Sequence, residues 1–230
     1  MKRTVGFLLI GFLFFGQCNV SAQADCIPVG ADTICQSGYT LIFSNKQAGF
    51  SQNLTERLQQ TFFSVYPQLC ELYNRRSARE VTFIIDPAYD GVAATSGHVV
   101  VFNPHWFDKH PNDIDVVTHE VMHIVQDYGK TNGPWWVTEG IADYVRFKYG
   151  IDNESAGWKL PEVNAKQNYD NSYRVTARFF VWIMQHKNKK FVEKMDELMR
   201  KHQYTDAAWV KLTGSRPAEL WKEYCANPEI

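Results

Sequence analysis

The sequence predicts an α+β fold, with a small N-terminal α/β lobe and a mainly helical C-terminal lobe. Three observations predict it. Short β-branched or aromatic runs, YTLIFS (39–44), VTFIIDP (81–87) and HVVVFNP (98–104), are confined to the first half of the chain. One long amphipathic stretch, 52–73, interrupts them. From residue 111 onward the apolar residues recur at helical spacing instead of alternating. With 230 residues, 45% of them hydrophobic and 21% charged, the chain can build one sizeable core with a cleft between two lobes.

The elements follow in order. Lys2 and Arg3 precede an apolar run over 5–15, and VSAQAD follows shortly after. This is the three-part pattern of a secretory signal peptide, expected to be removed after Ala24. The apolar run is too short for a membrane span, so a secreted or periplasmic location is expected. Cys18 raises a lipoprotein alternative, for which Gln17 is a poor preceding residue. Residues 25–230 show no clean linker and are expected to form one domain. Strand 39–44 comes first, then the helix 52–73, kinked or ended by Pro67. Strand 81–87 is closed by proline, YDGVAATSG reads as a loop, and 98–104 is the third strand. A helix is expected to open at Pro111 and Asn112, with Asp113 and Asp115 in its first turn. It ends near Gly129, and KTNGP makes a turn. Further helices are expected over 135–149, 172–186 and 189–202. A long polar loop follows the first of these, and two short helical pieces close the chain.

Loss of Lys2 and Arg3 with the leader takes the formal charge from −1 to −3. No basic patch stands out, which argues against a nucleic-acid partner. A monomer is expected. Four of the five cysteines lie beyond the leader, an even count that suits two disulfides in an exported chain. Of the three connectivities, Cys26–Cys35 with Cys70–Cys225 is favoured. Asn53 and Asn153 each begin an N-x-[ST] pattern, relevant only in a eukaryotic secretory route.

The chemistry concentrates in THEVMHIVQDYG, 118–129, which contains H-E-x-x-H. On a helical wheel Ile114, Val117, Val121, Ile124, Val125 and Tyr128 share an arc of about 100°. His119 and His123 fall on the opposite side, one turn apart, with Glu120 beside them. Core histidines would sit in the apolar arc, and these do not. A solvated surface pair fits the pattern, and so does a helix lining a cleft. Two imidazoles so spaced can converge on one Zn²⁺ per chain, while the neighbouring glutamate reaches a water without ligating the metal.

A catalytic zinc commonly takes a third protein ligand. Extension to H-E-x-x-H-x-x-G-x-x-H needs glycine at position 126 and histidine at 129, where the chain has Gln126 and Gly129. That class is excluded. WWVTEGIADY places Glu139 and Asp143 on one face of the next helix. Once the turn folds this helix back, Glu139 can complete the set. Asp143 can then accept the N–H of a ligating histidine. The exchanged assignment, Asp143 on the metal, stays open, as does a plain solvated acidic face with Asp143 paired to Arg146. Gly140 would permit close helix approach, and Trp135 and Trp136 would pack the start of the helix.

HEVMH and WWVTEGIADYVRFKYG together resemble the zinc metallopeptidases whose third ligand is a glutamate. More closely, the chain is similar to the basic secretory protein family of plant and bacterial peptidases. The resemblance runs through SGYTLIF, GHVVVFNP, VTHEVMHIVQDY, TEGIADYVR, SYRVTARFFVWI and LTGSRPAELWKEY, most of the mature chain. It implies a secreted, zinc-dependent peptidase of zincin-like fold, with the zinc cleft between the lobes and a peptide or protein as substrate. The mild acidity of this chain departs from the family's name. In that reading Glu120 is the general base and Tyr173 the candidate to stabilise the oxyanion, with Tyr169 and His105 behind it. The strand 98–104 is the candidate cleft edge. A non-catalytic zinc protein that binds a glycan or protein partner is the competing class. A zinc amidase acting on non-protein amides is a third.

Overall fold

Strand β2 (Tyr39–Asn45) alternates buried and half-buried residues along its length, the signature of a sheet with one face on the core. In the computed structural model, which describes residues 30–130 and 133–230, it lies in a five-stranded sheet of order β1-β2-β3-β5-β4. The other strands are β1 (Gly30–Gln36), β3 (Glu80–Ile85), β4 (Ala93–Ser96) and β5 (Val99–Phe102). The three inner strands are parallel, and β1 and β4 close the two edges antiparallel. Helix α1 (Gln52–Leu72) covers the inner face, with Leu58, Phe62, Val65 and Leu69 buried on it. Phe62 meets Phe83 edge-to-face at 5.4 Å. Seven further helices follow: α2 (Pro104–Lys109), α3 (Val116–Gln126), α4 (Trp135–Tyr149), α5 (Tyr173–His186), α6 (Phe191–Arg200), α7 (Ala207–Thr213) and α8 (Pro217–Ala226). The α+β class and the division into a sheet-bearing first half and a helical second half are as the sequence predicts.

Several boundaries differ for physical reasons. Helix α1 runs through Pro67, which interrupts hydrogen bonding without ending the helix. Residues 93–96, expected in a loop, form edge strand β4, and residue 104 opens α2 behind the Asn103 cap. Strand β5 is therefore interior, and β4, not 98–104, is the free edge. Helix α3 starts at Val116, five residues late. The acids expected in its first turn are drawn into tertiary pairing instead. Asp113 pairs with Arg146, and the Asp115 carboxylate accepts the backbone N–H of Ile151 (2.9 Å) and Asp152 (2.6 Å). The helix ends at Asp127, which adopts a left-handed conformation (φ 44°) that Asp tolerates better than most side chains.

Helix α3 is also buried nearly all round, with only His123 part-exposed. The face opposite its apolar arc is covered by α4 and β4. Beyond its C-terminus, Arg200 binds Asp196 through both carboxylate oxygens, at 3.1 and 2.6 Å. The same guanidinium donates to the carbonyls of Val125 (3.3 Å) and Tyr73 (2.7 Å), tying the ends of α3 and α1 to α6.

The Cys70–Cys225 pairing is overturned. Both cysteines are free, Cys70 buried on α1 and Cys225 exposed on α8. Helix α1 packs on the sheet, whereas α8 packs through Trp221 and Tyr224 on Phe179 of α5. The Cys26–Cys35 pairing and the signal peptide involve residues outside the described ones. Asn153 is no free glycan acceptor. Its side chain donates to the Arg146 carbonyl at 2.9 Å and accepts from the Arg146 guanidinium at 3.0 Å. Among the described residues no helix is long and apolar enough to cross a membrane.

Candidate metal centre

The i, i+4 spacing on α3 brings the His119 and His123 rings to 4.9 Å, with their Nε2 atoms 3.2 Å apart. Helix α4 reverses beside α3 and adds Glu139, whose Oε2 lies 3.2 Å from His119 Nε2 and 3.6 Å from His123 Nε2. All three donor atoms lie within 4.8 Å of one another. A tetrahedral ion with bonds of about 2.0–2.1 Å needs donors about 3.3 Å apart, so the triangle fits zinc.

The other ring nitrogens fix the tautomers. His119 Nδ1 faces Asp143 Oδ1 at 2.7 Å, and His123 Nδ1 faces Gln126 Oε1 at 2.7 Å. Carboxylate and amide oxygens only accept, so each Nδ1 carries a proton, and each Nε2 is left to hold either a second proton or, through its lone pair, a metal. Gln126 is itself held, its amide donating to the Thr138 carbonyl at 2.9 Å. The sequence reading uses Gln126 only to exclude a ligand class. Its position three residues after His123, on the same face, is the signal for its role.

Electrostatics favour a cation. Glu120, Glu139 and Asp143 are all buried beside the two imidazoles. Burial alone would lower His119, but Asp143, then Glu139 and Glu120, raise it to about 10. Burial would raise Glu139, but the two histidines bring it down to about 2. Positive charge is held here whether a proton or a metal supplies it.

Glu120 lies 6% exposed, and its Oε2 accepts the Thr95 hydroxyl at 2.7 Å. Thr95 sits on β4, in the small-residue run AATS that reads as a loop in the sequence. Tyr173 opens α5 and stacks on the His119 ring at 6.1 Å. It and Ser172 both have positive φ, 47° and 69°, costing roughly 1–3 kcal/mol each. Among the described residues the buried Ser172 hydroxyl has no hydrogen-bond partner. Burial and then the Glu139, Asp143 and Glu120 carboxylates raise the Tyr173 phenol, keeping it protonated as a donor. The two weaker candidates are not brought in. Tyr169 packs on Trp136 at 5.4 Å, and His105 lies exposed on α2 beside Asp108. Trp136 packs the start of α4 as expected, but Trp135 is 60% exposed and meets Tyr173 edge-on at 5.5 Å.

Gly140 allows the close approach, though to α5 and not α3. A Cβ there would lie 2.3 Å from Thr176 Cγ2 and 3.0 Å from Phe180 Cε2. Gly140→Ala is expected to push α5 from α4 and cost about 1–3 kcal/mol, against a helix-propensity gain of about 1 kcal/mol. Urea unfolding should show a net loss of stability, and an unchanged or raised midpoint would refute the close-packing argument.

A cleft of about 1210 Å³ surrounds these groups. Helix α3 forms its floor, β4 one wall, and α4 with the start of α5 the other. Residues 156–158 line one end and 127–129 the other.

Comparison with known proteins bears on this arrangement. No curated protein matches the chain. Among solved structures it is similar to an M1 zinc metallopeptidase from Deinococcus radiodurans, at 12% identity and TM-score 0.47, over 86% of this chain and 50% of that one. A mutant of that metallopeptidase gives 10% identity and TM-score 0.49, over 87% and 52%. The chain thus spans about half the length of these enzymes. The profile of the family described as peptidase of plants and bacteria matches residues 32–224. The resemblance in the sequence extends over nearly all the described residues, and the chain belongs to the family of peptidases of plants and bacteria.

Proposed function

We propose that this chain is an exported zinc-dependent peptidase, with His119, His123 and Glu139 as the metal ligands. One observation carries the proposal: two imidazole Nε2 atoms and a carboxylate oxygen converge on one point with both Nδ1 protons already committed. Only a cation makes that convergence favourable. Zinc, when bound, supplies Lewis acidity towards the scissile carbonyl and lowers the pKa of water. Asp143 orients His119, and Gln126 orients His123. Glu120, pinned by Thr95 through one oxygen, takes a proton from water with its carboxylate and returns it to the leaving amine. The Tyr173 hydroxyl donates to the carbonyl oxygen as negative charge develops there. An extended peptide seats by pairing with the free edge of β4.

Metal analysis of the purified mature chain, paired with digestion of a broad peptide library, tests this reading. One zinc per chain and chelator-sensitive cleavage are expected. One zinc with no cleavage of any peptide would transfer the site to a binding role, and cleavage confined to non-protein amides would make the chain an amidase.

A further inference from the structure

The cleft does not end at the metal ligands. Towards the N-terminus of α3 it is lined by Trp106, Trp158, Val116 and Ala156, together with His110, Asp113 and Arg146. The last two form a buried ion pair, and the others lie around it. Asp113 receives the Arg146 guanidinium on one oxygen and the Trp106 indole N–H on the other, at 2.9 Å. Arg146 also lies 4.5 Å beneath the Trp158 ring and bonds Asn153. Asp113 and Arg146 line the cleft too, but their charges are paired with each other, and the large apolar surface at this end is that of the two rings. His110 extends that surface, stacked on Trp106 at 3.8 Å. Val116 precedes His119 by three residues on α3. That is about 4.5 Å along the helix axis, or between one and two residues of extended peptide at about 3.3 Å each.

We propose that the end of the cleft lined by Trp106 and Trp158 is the specificity subsite, accepting an aromatic or large aliphatic side chain within two residues of the scissile bond. The assignment rests on the peptidase reading above for its substrate, but the subsite's chemistry follows from its own walls. Trp158 is the specificity-determining residue, because residues 156–158 form one end of the cleft and Trp158 is the large ring they contribute. Its position is fixed from below by Arg146, and from behind by the loop's anchorage on Asp115 through Ile151 and Asp152. Gly150 permits that anchorage. A Cβ there would come within 2.5 Å of the Arg146 carbonyl oxygen and 3.0 Å of the Asp115 carboxyl carbon.

The test has two arms. In the first, the holoprotein digests a peptide library and the cut sites are read by mass spectrometry. Aromatic and large aliphatic residues should be enriched about 30-fold over alanine at one fixed position, a ratio in the range that apolar pockets achieve. Trp158→Ala should flatten the enrichment, Trp158→Phe should retain most of it, and Ala156→Phe, which fills the space, should turn it towards small residues. Cleavage without such enrichment, or enrichment untouched by Trp158→Ala and Ala156→Phe, overturns the subsite. In the second arm, binding of N-acetyl-phenylalaninamide to the protein as isolated is measured by calorimetry. Saturable binding weakened at least tenfold by Trp158→Ala is expected. If no peptide is cut, the peptidase reading fails, and this second arm alone decides the subsite: absence of binding removes it.

Discussion

Replacing Glu120 by glutamine is expected to leave the protein folded and zinc-loaded, while kcat/KM on a peptide substrate falls by about 10²–10⁴-fold. The exchange is isosteric. An amide oxygen can still accept the Thr95 hydroxyl that now binds Oε2, and none of the three converging donor atoms belongs to residue 120. The substitution removes only the capacity to take and return a proton at a position held beside the ligand set. Zinc content by elemental analysis and single-turnover cleavage, measured on the same preparation, separate the outcomes. A mutant that keeps its metal and its rate sinks the base assignment. A mutant that loses both places Glu120 among the groups that hold the ion.

The second large effect concerns stability. Arg200→Met is expected to cost about 3–5 kcal/mol, the range found when one partner of a buried ion pair is removed. Asp196 is fully buried, and Arg200 neutralises it while capping the carbonyls of Val125 and Tyr73. The Tyr128 hydroxyl also donates to Asp196, at 2.9 Å, and is too weak a partner to replace the charge. Even with Arg200 in place, burial dominates and raises the Asp196 carboxyl from 3.8 to about 6. Without Arg200 it rises further. A carboxyl whose folded pKa exceeds its unfolded one contributes fully below the unfolded value, and that contribution is lost as pH rises through the folded value. The variant's deficit should therefore be smaller at pH 5 than at pH 8. Urea midpoints of both proteins at the two pH values check this, and a deficit independent of pH would mean that the lost carbonyl caps, not the orphaned carboxylate, account for the cost.

How much of this was legible in the sequence depended on where the information lay. Helices α3 and α4 were readable because their apolar residues repeat at helical spacing, and that spacing alone places His119 beside His123 and Glu139 beside Asp143. Their packing against each other followed from the reversing turn. Strands β1 and β4 were not readable. GADTICQ and AATS carry almost no apolar alternation, because both are edge strands, specified by a neighbour's backbone rather than by their own side chains. With β4 went Thr95 and its hold on Glu120. Gln126 was half legible: its place three residues after His123 puts it within reach of that ring, but what holds it there was not. Its role depends on a hydrogen bond to the Thr138 carbonyl, and no side-chain pattern reports a backbone acceptor. The Cys70–Cys225 pairing failed because an even cysteine count carries no distance, and the two lie on helices packed against different partners.

The Thr95 hydrogen bond has a mechanical consequence. The four residues of β4 pair on one side with β5 and present their other side to the cleft, while the Thr95 hydroxyl donates to the Glu120 carboxylate and lies 3.0 Å from its carbonyl. In the proposed reading, a peptide that adds to this strand stiffens the support on which Glu120 is mounted. Docking and proton transfer would then share a single moving part, and a ligand that reached the His119–His123–Glu139 site without engaging the strand would leave Glu120 less firmly aimed. Long substrates should gain in turnover as well as in affinity.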